Sequence, residues 1–427
     1  MNDHGWQGDD RVRGLLQLIR PLFPQQLHHL VYLVGGCVRD SLIGTAGQDL
    51  DLVIALPPEA LKQLGFRLVC GRSTLPIWFR CDDRVGTLEA VALPGPDGLE
   101  DDLRRRDFTV NAMALSLDGR LIDPFGGRQD LKQLVLRTCT ERSFDDDPLR
   151  VIRAFRFEAQ AWKLTEESER QIASGTWHEA LRLIPVERFS RELQKALAAA
   201  NPSRFFERLL QYGVGRQWLP ELFMMSAIPA GPLLHHPEGD LLTHTLQVLQ
   251  RVTAMTGDPL ARFCALCHDI GKLGTDPACY PSHHGHDKDG FQRVEMVCRR
   301  LRLPKGWCQA AAWTSRLHTK AGRMEELRTA TLLKLAEQAI KAGIAEILPV
   351  VVAADSLAQR DGQPLWDRAV SVARLSATEL GVDPERLAAL LPAKRSSYLL
   401  HKRVERLRAL QALECGALDT TMTKGPQ

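Results

Sequence analysis

No apolar run in this chain of 427 residues approaches the roughly 18 to 20 needed to cross a bilayer. The opening stretch, MNDHGWQGDDRVRG, lacks the basic-then-apolar order of a signal peptide, so the expected location is the cytoplasm. Regular cysteine spacing is also missing. Ten cysteines lie scattered, which speaks against a disulfide framework and for reduced, buried thiols. Net charge is nearly absent too, since 55 Lys and Arg against 52 Asp and Glu leave only +3. A polyanion would therefore have to be held by local clusters, such as Arg104 to Arg106 or the stretch HKRVERLR at 401–408. There is no internal repeat and no low-complexity tract.

What the chain does have is length and a change of pattern. It exceeds one ordinary core, so two to four domains are expected. Residues 1–29 read as a helical extension with an amphipathic helix at 11–23. From 30 to 138, β-rich apolar runs (YLVGG, LDLVIA, FRLVC, TLEAVAL, RLIDP) alternate with short helical segments, the pattern of a small α/β head with a mixed sheet. Beyond about residue 140 helical periodicity prevails, with hardly a convincing strand. This gives an α-helical neck and body at 139–228, an all-α domain at 229–375 and a basic helical tail at 376–427. The Gly- and Pro-containing loop MMSAIPAGPLLHHPEGD at 224–240 reads as a domain boundary.

In YLVGGCVRD an apolar strand stops at Gly35 and Gly36, and a helix begins. Glycines at such a turn let the backbone approach a phosphate and aim amide N–H groups at it, and Arg39 adds charge. In the following GQDLDLVI, Asp49 and Asp51 are two apart on a strand and project to one face, while Leu50 and Leu52 face the core. Two parallel carboxylates repel unless a cation lies between them. Mg²⁺ suits this pair beside a phosphate-binding turn, where it would serve nucleotidyl transfer.

Downstream, LEDDLRRRDFTVNAMAL at 99–115 and LIDPFGGRQDL at 121–131 precede DDDPLRVIRAFRF at 145–157. The glycine turn followed by D-x-D resembles the nucleotidyltransferase superfamily that includes DNA polymerase β. With the later motifs, residues 30 to 230 resemble the class II tRNA nucleotidyltransferases, the bacterial CCA-adding family. The resemblance implies template-independent, metal-dependent addition of the 3′-terminal CCA of tRNA from CTP and ATP, with the tRNA acceptor end as partner. It further implies that Arg105, Arg106, Asp107 and Asn111 hold sugar and phosphates and support the metal site.

On the helix expected from DPLRVIRAFRF, Asp147, Arg150, Arg153 and Arg156 recur every third residue as a polar stripe suited to a triphosphate or an RNA backbone. Asp147 offers only acceptors and Arg150 only donors, a pair that accepts the amino and ring-nitrogen edge of cytosine or adenine and rejects uracil and guanine. That is the template role the family gives this motif. The glycines of DPFGG suit a hinge, and Glu187 and Arg188 in PVERFSREL are available to brace the templating helix. Only PGPDG, residues 94–98, stands where CCA-adding members carry a longer flexible segment. The shortening makes a CC-adding enzyme limited to CTP one alternative, and a poly(A) polymerase of the same superfamily is another. An RNA-binding or signalling protein with a dead head is a reading from another class, and Asp49, Asp51 and Arg39 argue against it.

From residue 233 the chain becomes histidine-rich. His268 and Asp269 in HDIGK, with His244 upstream and Asp355 far downstream, resemble the HD phosphohydrolase superfamily. The resemblance implies a divalent-metal site made by these residues, and imidazole with carboxylate suits Ni²⁺, Mn²⁺, Co²⁺ or Fe²⁺. His284 and His286 in HHGHD are candidates for a second site or for phosphate contact. Water acidified by such a metal would hydrolyse phosphomonoesters or 2′,3′-cyclic phosphates. Cys264 and Cys267 form a CxxC on an apolar helical face and read as packing residues. Lys394, Arg395, Lys402, Arg403, Arg406 and Arg408 mark a C-terminal basic helix, either a phosphate-contacting face or a solvated one. Nothing in the sequence separates a monomer from a dimer.

Overall fold

Four consecutive buried residues, Val31–Val34 (β1), form an interior strand of a seven-stranded sheet in the computed structural model, which describes residues 10–44, 50–69, 76–356 and 362–422. The chain falls into two units, Met1–Leu183 and Ile184–Gln427. In the first, β1 is joined by Leu50–Ile54 (β2), Arg67–Val69 (β3), Ile77–Asp82 (β4), Gly86–Ala92 (β5), Ala114–Ser116 (β6) and Leu121–Ile122 (β7). Their order across the sheet is β3-β4-β5-β2-β1-β6-β7, with only β2 and β5 parallel. Tyr32, Val34 and Val53 pack against Leu99 and Leu103 of the Leu99–Arg104 helix, so the segment carrying the RRRD run is pinned to the sheet by its apolar side.

Three local features differ from the sequence reading, two of them because of a proline. The N-terminal helix spans Asp10–Ile19 and continues only as a 3₁₀ turn at Arg20–Leu22, because Pro21 has no N–H to donate. Asp147 is not part of the templating helix, which runs Leu149–Ala159. Pro148 disfavours helical backbone at the residue before it, and Asp147 is extended at φ −146°, ψ 97°. A parallel pair of two-residue strands, Val135–Leu136 (β8) and Lys163–Leu164 (β9), reaches into the stretch expected to be all-helical.

The second unit is helical among the described residues apart from one bridge between Pro229 and Asp240. Asp240 accepts the amide of Thr243 at 2.9 Å and caps the Leu241–Met255 helix, and Asp258 does the same for Leu260 at 2.9 Å at the start of Pro259–Cys267. Helices His286–Arg300 and Lys305–Ala321 form a tightly packed hairpin, and Ile347–Asp355 lies against the second of them. Of the basic residues at the C-terminus, Arg403 is structural: it pairs with Glu337 at 2.6 Å and donates to the Leu375 carbonyl, next to a fully buried Leu407 on the same helix. Among the described residues no helix is long and apolar enough to cross a membrane.

Candidate functional site

Asp49 lies outside the described residues. Asp51 stands on β2 between buried Leu50 and Leu52, as strand alternation requires. Gly35 takes φ +74° to turn the chain from β1 into the Gly36–Ile43 helix. A Cβ at Gly35 would stand 2.9 Å from Arg106 Nη1 and 3.6 Å from Asp51 Oδ2, so the glycine opens a space on which a carboxylate and a guanidinium converge. One turn further on, Arg39 donates to Asn111 Oδ1 at 2.5 Å and to Asp40 Oδ1 at 2.7 and 2.8 Å.

Behind these groups sits one buried carboxylate. Asp107 Oδ1 accepts from Asn111 Nδ2 and the Phe108 amide, each at 2.8 Å, and Oδ2 accepts from Arg153 Nε at 2.8 Å and Nη2 at 2.6 Å. Burial would raise the Asp107 carboxyl, but the Arg153 charge and these hydrogen bonds hold it well below the usual carboxylate range. Asp107, read as a nucleotide contact, thus has both oxygens engaged within the protein. Through Asn111 it orients Arg39, and it holds Arg153 directly.

Among the other expected head residues, Arg150 donates to the Ser143 carbonyl at 3.0 Å, to Ser143 Oγ at 2.9 Å and to the Arg105 carbonyl, while the Arg105 side chain is exposed. Asp147 accepts the amide of Leu149 at 3.2 Å. The even stripe of arginines is not seen. Arg156 is buried, with its guanidinium 3.9 Å from the centre of the Phe157 ring. Steps of three fall about 60° short of a full turn each, so by Arg156 the row has rotated onto the packed flank. The two glycines of DPFGG differ: Gly126 turns the chain at φ +74° with open space around it, whereas a Cβ on Gly127 would overlap the Thr109 carbonyl, and Asp123 caps the helix Gly127–Gln133 through the Gly127 amide at 2.7 Å. Glu187 is exposed to solvent and pairs with Arg302.

In the second unit, His244, His268, Asp269 and Asp355 bring one ligand atom each within 4.8 Å of one another. His244 Nε2 lies 3.3 Å from His268 Nε2, 3.4 Å from Asp269 Oδ2 and 3.1 Å from Asp355 Oδ1. A second group, Asp269, His286 and His318, adjoins it. Asp269 Oδ1 is 3.3 Å from His286 Nε2 and 3.2 Å from His318 Nε2.

The four imidazoles are oriented alike. His268 Nδ1 donates to the Ala265 carbonyl at 2.7 Å, His286 Nδ1 to the His283 carbonyl at 2.7 Å and His318 Nδ1 to the Ser315 carbonyl at 2.9 Å, while His244 Nδ1 meets Glu238 Oε1 at 2.6 Å. Carbonyls only accept, so in the neutral ring the proton is on Nδ1 and Nε2 is the nitrogen whose lone pair points inward. Lone pairs facing each other at 3.3 and 3.4 Å call for a cation between them. Asp269 Oδ1 is fully buried and accepts no hydrogen bond, which fits the same requirement. Burial would lift the Asp269 carboxyl, yet the Lys272 ammonium, its Nζ at 2.6 Å, acts to hold it well below its ordinary range. The HDIGK glycine makes this approach feasible, because a Cβ at Gly271 would overlap the His286 carbonyl.

The histidine-rich run HHGHD divides into three roles. His283 Nε2 bonds the Pro229 carbonyl at 2.8 Å, His284 is exposed and joins neither group, and His286 joins the cluster. His318 and Glu238 went unnoticed in the sequence. His318 lies 32 residues beyond His286 and comes back only because the helical hairpin returns the chain to the same end. Cys264 and Cys267 are buried away from solvent, and burial pushes the Cys264 thiol up to about 12.

Three family models match in chain order: the poly A polymerase head domain at residues 31–72 and 79–137, the probable RNA- and SrmB-binding site of polymerase A at 163–225, and the HD domain at 241–357. The multifunctional CCA protein of Methylococcus capsulatus is 36% identical over 414 residues, covering 89% of this chain and 96% of its own length. That of Alkalilimnicola ehrlichii is 38% identical over 330 residues, covering 72% and 78%. Among solved structures, the Thermotoga maritima CCA-adding enzyme complexed with tRNA superposes with TM-score 0.62 at 21% identity, covering 94% of this chain and 92% of that one. The Bacillus stearothermophilus enzyme in complex with CTP gives 0.62 at 21%, covering 95% and 94%, and this pair speaks for the fold. On its identity to full-length relatives, the chain belongs to the multifunctional CCA proteins, the bacterial CCA-adding nucleotidyltransferases that carry an HD domain.

Proposed function

We propose that the first unit adds or repairs the 3′-terminal CCA of tRNA from CTP and ATP, and that the second hydrolyses phosphoesters, either phosphomonoesters or 2′,3′-cyclic phosphates. The observation that carries the first part is the likeness to multifunctional CCA proteins along 89% of the chain. In this reading the Gly35 turn, Arg39, Arg106 and Arg153 receive the triphosphate, and Asp147 with Arg150 selects the base. Asp49 and Asp51 are the carboxylates for Mg²⁺, which when bound would activate the tRNA 3′-hydroxyl and neutralise the leaving pyrophosphate. The convergence of the Asp51 carboxylate and the Arg106 guanidinium on the position that Gly35 leaves without a side chain supports this assignment.

For the second unit the reading is a pair of transition-metal ions, Ni²⁺, Mn²⁺ or Co²⁺. His244, His268 and Asp355 would hold one, His286 and His318 the other, and Asp269 would turn one oxygen to each. Such ions acidify water and polarise a phosphoryl group. Lys272 balances the charge of Asp269, and the inward partners of each imidazole keep the lone pairs aimed. A cytoplasmic location follows from the tRNA substrate.

The relatives and the two solved structures named above carry the name of CCA addition, and a CC-only enzyme finds no support in them. The test is tRNA lacking its terminal CCA, incubated with CTP alone, ATP alone and both. Extension by two cytidines with CTP and completion with ATP is expected. A product that stops after the cytidines with both present, or a run of adenosines with ATP alone, would overturn the reading.

A further inference from the structure

The loop Ile228–Leu241, most of the stretch read from the sequence as a domain boundary, is closed and pinned. Ala230 N bonds the Gly239 carbonyl at 2.9 Å and Leu241 N the Ile228 carbonyl at 2.8 Å, which draws the two ends together. Lys272 Nζ, already 2.6 Å from Asp269, donates to the Ala230 carbonyl at 2.6 Å. His283 Nε2 donates to the Pro229 carbonyl at 2.8 Å, which leaves its Nδ1 to accept from the Thr275 hydroxyl at 2.9 Å. Two side chains of the histidine-rich domain thus strap this loop down.

What the strap presents is Glu238. Its side chain is 4% exposed, and one oxygen accepts from His244 Nδ1 at 2.6 Å and lies 3.0 Å from His236 Nδ1. His236 stands edge-on to His244 with ring centres 4.9 Å apart and packs so closely on Gly231 that a Cβ there would overlap its ring. Of the four imidazoles in the metal cluster, three lean on backbone carbonyls and only His244 on a carboxylate. A carboxylate behind an imidazole fixes its tautomer and makes its other nitrogen a better donor to metal.

We infer that Glu238 is a positioning residue that makes His244 the strongest imidazole donor of the cluster, and that the 228–241 loop is the strap that delivers it. The inference rests on the reading that this cluster holds divalent cations. It assigns a role to a segment that otherwise reads as a linker, and it divides the cluster into unequal halves: the His244 and His268 half binds its ion more tightly than the His286 and His318 half.

The probe is Co²⁺, titrated into the metal-free full-length protein and followed by its visible d–d absorption, with Asp269→Ala as the reference for signal from elsewhere in the chain. Glu238→Ala is expected to weaken the tighter Co²⁺ step about 10- to 100-fold and to alter its spectrum. Glu238→Gln keeps an oxygen acceptor without the charge and should fall between it and wild type, while the metal-free melting temperature of the Gln variant stays near that of wild type. Wild-type affinity and spectrum in both variants would overturn the role of Glu238, and if the Ala variant does not fold, the Gln variant decides alone by the same criterion. A wild-type protein indistinguishable from Asp269→Ala would overturn the metal reading itself, a different failure with a different signature.

Discussion

Replacing Asp107 by Asn keeps the shape of the side chain and removes its charge. The amide that takes the place of one oxygen must then face a donor, either Arg153 on one side or Asn111 and the Phe108 amide on the other. Removing one partner of a buried ion pair costs about 3–5 kcal/mol. Arg153 is 30% exposed, so solvent recovers part of this and about 2–4 kcal/mol is expected. For a unit of this size that corresponds to a fall in melting temperature on the order of 10 °C. The pH dependence gives the sharper test. The folded-state pKa of Asp107 is depressed, so its contribution is complete above the unfolded carboxyl value of ~4 and is lost as pH falls below it toward the folded value. The gap between wild type and Asp107→Asn, measured by calorimetry on the first unit's transition, should be constant from about pH 8 to 5 and narrow toward pH 3. Equal melting at neutral pH, or a gap undiminished at pH 3, would refute the claim that this carboxylate is ionised and paired inside the fold.

Other consequences are open to direct measurement. Arg39→Ala removes the guanidinium that Asn111 holds beside the glycine turn, and KM for CTP and ATP should rise about tenfold or more, the worth of one charge-assisted hydrogen bond. Gly127→Ala forces a Cβ into the Thr109 carbonyl and should destabilise the first unit by about 2 kcal/mol or more in urea titration, where an unchanged midpoint would refute the close packing at this position. Asp269→Ala should lose phosphoester hydrolysis in a colorimetric assay while CCA addition continues. With a thiol reagent, exposed Cys81 and Cys279 should react in the native protein, whereas Cys264 and Cys267, buried with their thiols pushed up, should react only on unfolding.

Sequence alone pointed to the mixed-sheet head and to the His268–Asp269 pair of HDIGK because both are written in short stretches: a strand stopping at two glycines, carboxylates at strand spacing, and His beside Asp. It lost β4 and β6, since Ile77–Asp82 carries polar residues on a half-buried strand and Ala114–Ser116 is only three residues long. The displaced Asp147 was legible in principle, because an Asp-Pro pair marks the residue before a helix more often than one inside it. His318 and Glu238 were not. Each reaches the cluster only through tertiary geometry, one by the return of a helical hairpin and the other by a loop held shut from outside its own sequence.

On the functions proposed above, the two sites would solve the same physical problem with opposite signs. A triphosphate needs cationic side chains held at fixed positions, yet bare guanidinium groups in a cleft repel one another and wander. Asp107 answers this from behind by fixing Arg153 directly and Arg39 through Asn111, so that two positive groups are ordered before any ligand arrives. A metal needs converging lone pairs, which also repel. There the carbonyls of Ala265, His283 and Ser315 and the carboxylate of Glu238 hold four rings by their far nitrogens, and Lys272 offsets the charge of Asp269. In each case the groups that set the geometry face away from the ligand. On the proposed roles, substitutions at Asp107, Asn111 or Glu238 should lower affinity through the groups they position, which would separate them in kinetic assays from substitutions at Asp51 or His268.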